Sequence, residues 1–124
     1  MKVYKEYAAT GMTAEAGSFQ PNNNTEGNGN LALDNNLNTM WHTNWNGCQR
    51  SETWITIDMK KEQNVAMLKY TPRQGGGTNG NITAYEIYVS KDGQTWETWL
   101  QRNMANNNVV KYARFDTVLG RYVN

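Results

Sequence analysis

An all-β architecture, an antiparallel sandwich or barrel, is the fold class this sequence predicts. Short runs of β-branched and aromatic residues recur along the chain, separated by polar turns. No long stretch carries helical periodicity, and no internal repeat is present. With 124 residues the chain is sized for one domain, residues 1–124, with a core of its own.

The segments follow in order. Val3-Tyr4-Lys5-Glu6-Tyr7 alternates and is rich in β-formers, which predicts a strand over residues 3–7 that covers a sheet edge. Residues 18–50 differ in texture, being dominated by asparagine, glycine and threonine. An ordered loop of that length usually has a function, and Leu31, Leu33, Leu37 and Trp41 can pin it to a core. Thr53-Trp54-Ile55-Thr56-Ile57-Asp58 alternates in part, with Trp54 able to cover the second face, and Val65–Tyr70 is a mostly apolar run that stops before Pro72. Over Ile82–Ser90, Tyr85, Ile87 and Val89 fall on one face and Ala84, Glu86 and Tyr88 on the other. Lys91-Asp92-Gly93-Gln94 is a hairpin signal ahead of Thr95-Trp96. Val109–Phe115 and Arg121–Val123 complete the predicted strands.

Composition excludes several classes of function. Twelve basic against eleven acidic residues leave a net charge of +1, without the basic footprint of a nucleic-acid binder. No apolar run reaches the ~18 residues of a membrane-spanning helix. The first residues lack the apolar core of a signal peptide. Either the protein stays inside or, as is expected, it is a domain cut from a longer exported chain, extracellular or at the cell surface. Charged residues are 19% and aromatics 11%, the reverse of a disordered chain's balance. Cys48 is the one cysteine, so no internal disulfide is possible. The single histidine lies in Trp41-His42-Thr43-Asn44-Trp45, between two of the five tryptophans.

Six motifs occur in one order: Leu33-Asp34-Asn35-Asn36-Leu37-Asn38-Thr39-Met40-Trp41-His42-Thr43; Trp54-Ile55-Thr56-Ile57-Asp58; Tyr70-Thr71-Pro72-Arg73-Gln74; Asn79-Gly80-Asn81-Ile82; Tyr85–Gly93; and Arg121-Tyr122-Val123. Over about residues 12–123 this succession resembles the discoidin, or coagulation-factor type C, domain. More narrowly it is similar to bacterial family 32 carbohydrate-binding modules. The resemblance implies an antiparallel jelly-roll β-sandwich with a ligand site in the loops at one end. In the family the chain continues beyond the Arg-Tyr-Val motif, so the usual last strand is expected to be lacking here.

The same resemblance implies the site. A neutral sugar offers hydroxyl pairs and C–H-rich faces, so its binder needs planar donors and acceptors with an aromatic surface. Arg73 supplies a rigid fork of donors that keeps its charge, set between Pro72 and a glycine run. Asn79 of the following Asn-Gly pair is its counterpart. His42 can donate from one ring nitrogen and accept at the other. Glu26 is the nearest match to an acidic residue that takes a hydroxyl proton. The resemblance puts Trp41 in a buried position and makes Trp45 an exposed sugar platform; Trp54 is expected to be buried as well. Asp34, Asn36 and Thr39 match a loop that holds structural calcium in family members, with Asn35 where glycine is usual.

Taken together, these residues imply a non-catalytic module for terminal galactose or N-acetylgalactosamine, carried by a parent glycosidase. His42 could pair with Glu26 as a base, but no nucleophile signature and no pair of glycosidase carboxylates stands beside it. Two other roles known on this scaffold are phospholipid binding and protein interaction or a purely structural part. The asparagine-rich loops lack the basic collar that membrane binding needs.

Overall fold

The computed structural model describes residues 5–23, 25–75 and 77–124. Among the described residues seven strands are formed: β1 (Thr13–Ala16), β2 (Glu26–Gly27), β3 (Met40–Trp41), β4 (Ile55–Tyr70), β5 (Ala84–Ser90), β6 (Glu97–Asn103) and β7 (Lys111–Val123). Five of them make an antiparallel sheet in the order β1-β4-β7-β5-β6, and β2 pairs with β3 in parallel. The fold is the predicted all-β sandwich. Two 3₁₀ turns, Gly29–Ala32 and Arg50–Glu52, are the only helical elements among the described residues.

The sandwich comes from curling a single sheet. The predicted runs 53–58, from Ile55 on, and 65–70 join into the sixteen residues of β4. Between them the register with β7 shifts from Asp58↔Tyr122 to Gln63↔Gly120, and Lys60 takes a left-handed φ of 68°. Such a bulge bends a strand sharply and leaves residues out of the ladder. Asp58 accepts the Lys60 backbone N–H at 2.7 Å, which holds the bend. The predicted runs 109–115, from Lys111 on, and 121–123 likewise fuse into β7. β7 first pairs along the far half of β4, then meets β5 only at Val89↔Val123 and Ser90↔Tyr122. Gly120 stands at that crossing. A Cβ there would lie 2.4 Å from Val89 Cγ1, so only glycine lets the two strands approach this closely.

The curl encloses one apolar cluster: Met59, Val65, Ile87, Val89, Leu100, Ala113 and Val123. Ile87 and Val89 are buried with Tyr85 packed beside them, as the alternation in β5 predicts. The hairpin signal after β5 is a side-chain-supported turn. Ser90 Oγ accepts the Gly93 N–H at 2.8 Å, and Asp92 Oδ1 accepts those of Gln94 and Thr95 at 2.8 and 2.9 Å. These amide donors hold the Asp92 carboxyl below its ordinary pKa.

Two expectations fail. Residues 5–7 form no strand, while Val3 and Tyr4 lie outside the described residues. The first strand beside β4 is Thr13–Ala16, and residues 5–7 reach the sheet through side chains instead. Tyr7 Oη donates to the Asn64 carbonyl at 2.7 Å, and Glu6 lies 3.7 Å from Lys69 Nζ. Alternation marks a segment able to pair, but here Glu6 and Tyr7 meet the Asn64–Lys69 half of β4, beyond the Ile55–Asp58 stretch that β1 covers, through side chains. Trp54 is also not buried. It precedes β4 and is 37% exposed, lying over Gly17, where a Cβ would come within 2.4 Å of its Nε1.

Candidate functional site

The asparagine-rich segment is ordered by polar side chains gripping backbone. Buried Ser18 accepts the Asn44 N–H through Oγ at 3.0 Å, and its carbonyl accepts Trp41 Nε1–H at 2.9 Å. The Gln20 N–H donates to the His42 carbonyl at 2.7 Å, while Gln20 Oε1 accepts the Trp45 N–H at 2.8 Å. Residues 18–20 thus run beside residues 41–45 and fix them. Trp41 is half-buried under this seam, and Trp45 is 62% exposed, so one indole faces inward and the other outward. The Trp45 ring stands edge-on to His42, with centroids 6.3 Å apart and an interplanar angle of 88°.

His42 has a defined tautomer. Its Nδ1 is 2.8 Å from the Thr43 carbonyl, and a carbonyl can only accept, so Nδ1 carries the proton. In the neutral ring Nε2 is then an acceptor. It is shielded from solvent and has no partner. Gly80 covers it: a Cβ at that glycine, whose φ is +83°, would lie 2.5 Å from Nε2.

The same turn is held by Arg73, whose Nη1 donates to the Asn79 carbonyl at 3.0 Å. Arg73 Nε is shielded and without a partner. Among the described residues, these two nitrogens are the buried side-chain polar atoms left without a hydrogen bond. One is an acceptor and the other a donor, and both abut Asn79-Gly80. Asn79 itself is exposed, so its amide faces solvent. The loop is braced from below. Gln74 Nε2 donates to the Pro72 and Asn108 carbonyls at 2.8 and 3.1 Å, and Asn81 Nδ2 donates to the Asn107 carbonyl at 3.1 Å. The Tyr70 hydroxyl accepts the Ile82 N–H at 3.1 Å, and burial raises its pKa.

Four of the five expected ligand residues therefore gather at one end: His42, Trp45, Arg73 and Asn79. Glu26 is placed differently. It is 6% exposed in β2, level with Met40 in β3, and among the described residues no hydrogen bond links its carboxylate to His42 or Arg73. The residues that sequence reasoning missed are the supports: Ser18, Gln20, Gln74, Asn81 and Gly80. Of these Gln74, Gly80 and Asn81 stand inside the motifs, where Gly80 carried a turn signal, and Ser18 and Gln20 stand outside them.

The loop Asp34–Thr39 brings oxygens together. Asp34 Oδ1 accepts the Asn36 N–H at 2.9 Å, and Thr39 Oγ1 donates to Asp34 Oδ2. Thr39 Oγ1 is also 3.2 Å from the Asn36 carbonyl, and Asn35 adopts the left-handed φ of 55°. A carboxylate, a carbonyl and a hydroxyl are the donor types calcium takes. The set fits a hard cation in kind, with one carboxylate. No group of three or more His, Cys, Asp or Glu side chains is clustered among the described residues.

Comparison with known proteins adds the family. The model of the F5/8 type C domain matches residues 13–124. The chain belongs to the F5/8 type C domain family. This F5/8 type C domain is 40% identical over 97 residues to the galactose oxidase of Gibberella zeae, a match spanning 76% of this chain and 14% of that protein. It is 41% identical over 83 residues to the A type blood N-acetyl-alpha-D-galactosamine deacetylase of Flavonifractor plautii, spanning 66% of this chain and 10% of that one. Among solved structures it is similar to CpGH89CBM32-5 from Clostridium perfringens, in complex with GalNAc-beta-1,3-galactose, with a TM-score of 0.88 and 31% identity over 94% of this chain and 83% of the other. It is also similar to the family 32 carbohydrate-binding module of NanJ from the same organism, in complex with galactose, with a TM-score of 0.82 and 32% identity over 94% and 81%. No helix among the described residues is long and apolar enough to cross a membrane.

Proposed function

We propose that this F5/8 type C domain is a non-catalytic carbohydrate-binding module for terminal galactose or N-acetylgalactosamine, serving as one part of a longer exported, glycan-active protein. The observation that carries this reading is the pair of unsatisfied nitrogens, the acceptor His42 Nε2 beside Gly80 and the donor Arg73 Nε of the guanidinium that holds Asn79. Buried polar groups are nearly always paired, and an unpaired one calls for a partner. A sugar carries hydroxyls that both donate and accept, so one ring can answer an acceptor and a donor together. Trp45 offers the exposed face for the C–H side of that ring. Two relatives solved with galactose-type sugars support the class of ligand.

Because Gly80 covers Nε2, binding on this reading draws the 77–80 turn back from His42. The Arg73 fork then exchanges the Asn79 carbonyl for ligand hydroxyls. Glu26 takes part only by a rearrangement of β2. Calcium, where bound, is held by Asp34, Asn36 and Thr39 and adds stability by mass action. Added calcium is then expected to raise Tm, and Asp34→Ala to abolish the rise.

Titration calorimetry with methyl galactoside and with N-acetylgalactosamine tests the reading. Saturable binding in the high micromolar to millimolar range is expected, and its absence for every galactose-type sugar overturns it.

A further inference from the structure

We propose a second ligand site, for a saccharide that bears a carboxylate or sulfate, in the cleft where β6 ends and β7 begins. This cleft has none of the loop-site residues His42, Trp45, Arg73 or Asn79 in its lining, and it adjoins the support of that loop site at Asn107. It exists because of the sheet topology. β6 pairs with β5 alone, while Lys111–Arg114 of β7 pairs with β4, so the two strand pairs diverge and leave a space of about 490 Å³ between them. Ordinary small-molecule sites span roughly 300–1,000 Å³.

The walls are chemically biased. Arg102, Lys111 and Arg114 line the cleft, and among the described residues no aspartate or glutamate does. In a chain whose acidic and basic residues nearly balance, such a grouping is a local positive field. Tyr85, the cross-strand partner of Arg102, stands on one wall. Tyr112 stands on the other, 50% exposed, with the Arg114 guanidinium 5.8 Å from its ring centre. Lys111 Nζ donates to Val109 O, Asn107 O and Asn107 Oδ1 at 2.8, 3.1 and 2.8 Å, which pins its charge at the cleft end without neutralising it. Arg102 is exposed and forms no ion pair among the described residues.

These features select one chemistry. The guanidinium of Arg102 matches the paired oxygens of a carboxylate or sulfate ester. The half-exposed Tyr112 ring matches the C–H face of a pyranose. A neutral sugar leaves the Arg102 guanidinium unused, and a bare anion leaves the aromatic wall unused.

The test titrates the intact protein at low salt with sodium glucuronate, glucose 6-sulfate, glucose and inorganic sulfate, followed by calorimetry and NMR. At least one anionic sugar is expected to bind about tenfold or more tightly than glucose and inorganic sulfate, and to weaken with added salt. Its affinity should fall about tenfold in Arg102→Ala and in Tyr112→Ala, and stay unchanged in Arg73→Ala. The anion preferred, carboxylate or sulfate, identifies the group recognised. Equal binding of glucose, equal binding of inorganic sulfate, or no binding of either anionic sugar overturns the proposal. Loss in Arg73→Ala overturns it too, by moving the ligand to the loop site. Tyr112→Ala, at an exposed ring, decides the matter if Arg102→Ala loses its fold by circular dichroism.

Discussion

Arg73 holds Asn79 by its backbone: Nη1 donates to the Asn79 carbonyl at 3.0 Å, while the Asn79 side chain is left in solvent. The arginine therefore shapes the turn that covers His42 as well as presenting donors of its own. Arg73→Ala is expected to weaken galactoside binding by about 1.5–3 kcal/mol, the range for a lost charge-assisted hydrogen bond. Arg73→Lys should recover little, because an ammonium lacks the two-pronged fork. Calorimetry on folded variants checks this, and unaltered affinity in Arg73→Ala removes the arginine from the site.

The two indoles of the Trp41–Trp45 segment are expected to separate binding from stability. Trp45→Ala should weaken sugar binding and leave Tm nearly unchanged, since the ring is mostly in solvent. Trp41→Ala removes a half-buried ring and its hydrogen bond to Ser18, at about 2–3 kcal/mol of folding free energy. Urea denaturation beside calorimetry distinguishes the two, and equal destabilisation by both variants contradicts the assignment.

Gly80→Ala probes the cover over His42. An alanine there must adopt a φ of +83° and place its Cβ 2.5 Å from Nε2, so the turn or the ring has to move. A loss of about 1–3 kcal/mol of stability is expected from the strain. The NMR signals of His42 should shift with it. Resonances that stay in place would show that Gly80 does not rest on the ring in solution.

Asp58 and Arg121 form a two-pronged pair that ties β4 to the end of β7, with N···O distances of 2.9 and 3.1 Å. The Arg121 hydrogen bond is the chief cause that lowers the Asp58 pKa from 3.8 to about 2, and Asp58 raises that of Arg121 in return. A folded-state pKa below the unfolded one means stability present above about pH 4 and lost as pH falls through about 2. Acid unfolding of Asp58→Asn should lack this component, so its stability changes with pH by up to one proton less across that window. Identical acid profiles for the two proteins would show that the pair carries no such linkage.

Gly120→Ala tests the strand crossing. The added methyl would sit 2.4 Å from Val89 Cγ1 and 3.1 Å from the Ser90 carbonyl oxygen, forcing β7 and β5 apart. A cost of about 1–3 kcal/mol is expected, read from the denaturation midpoint. Full stability would mean that the crossing is looser than described.

By itself the sequence determined the all-β class, the inward face of β5, the turn after Ser90 and the family, because alternation and turn chemistry are written in neighbouring residues. It also marked His42, Trp45, Arg73 and Asn79 through their motifs. Tertiary structure decided what depends on segments far apart in the chain. Whether 53–58 and 65–70 are two strands or one turned on the bulge at Lys60 and its register against β7. That Thr13–Ala16 is the strand paired with the start of β4, while Glu6 and Tyr7 reach Lys69 and Asn64 by side chains, turned on contacts between distant segments. That Gly80 lies on the His42 ring, and that Gln20 holds Trp45 from 25 residues away, follow from loops brought together by the curl of the sheet. Local periodicity reports which face a residue can present. Only the packed sheet settles what stands opposite it.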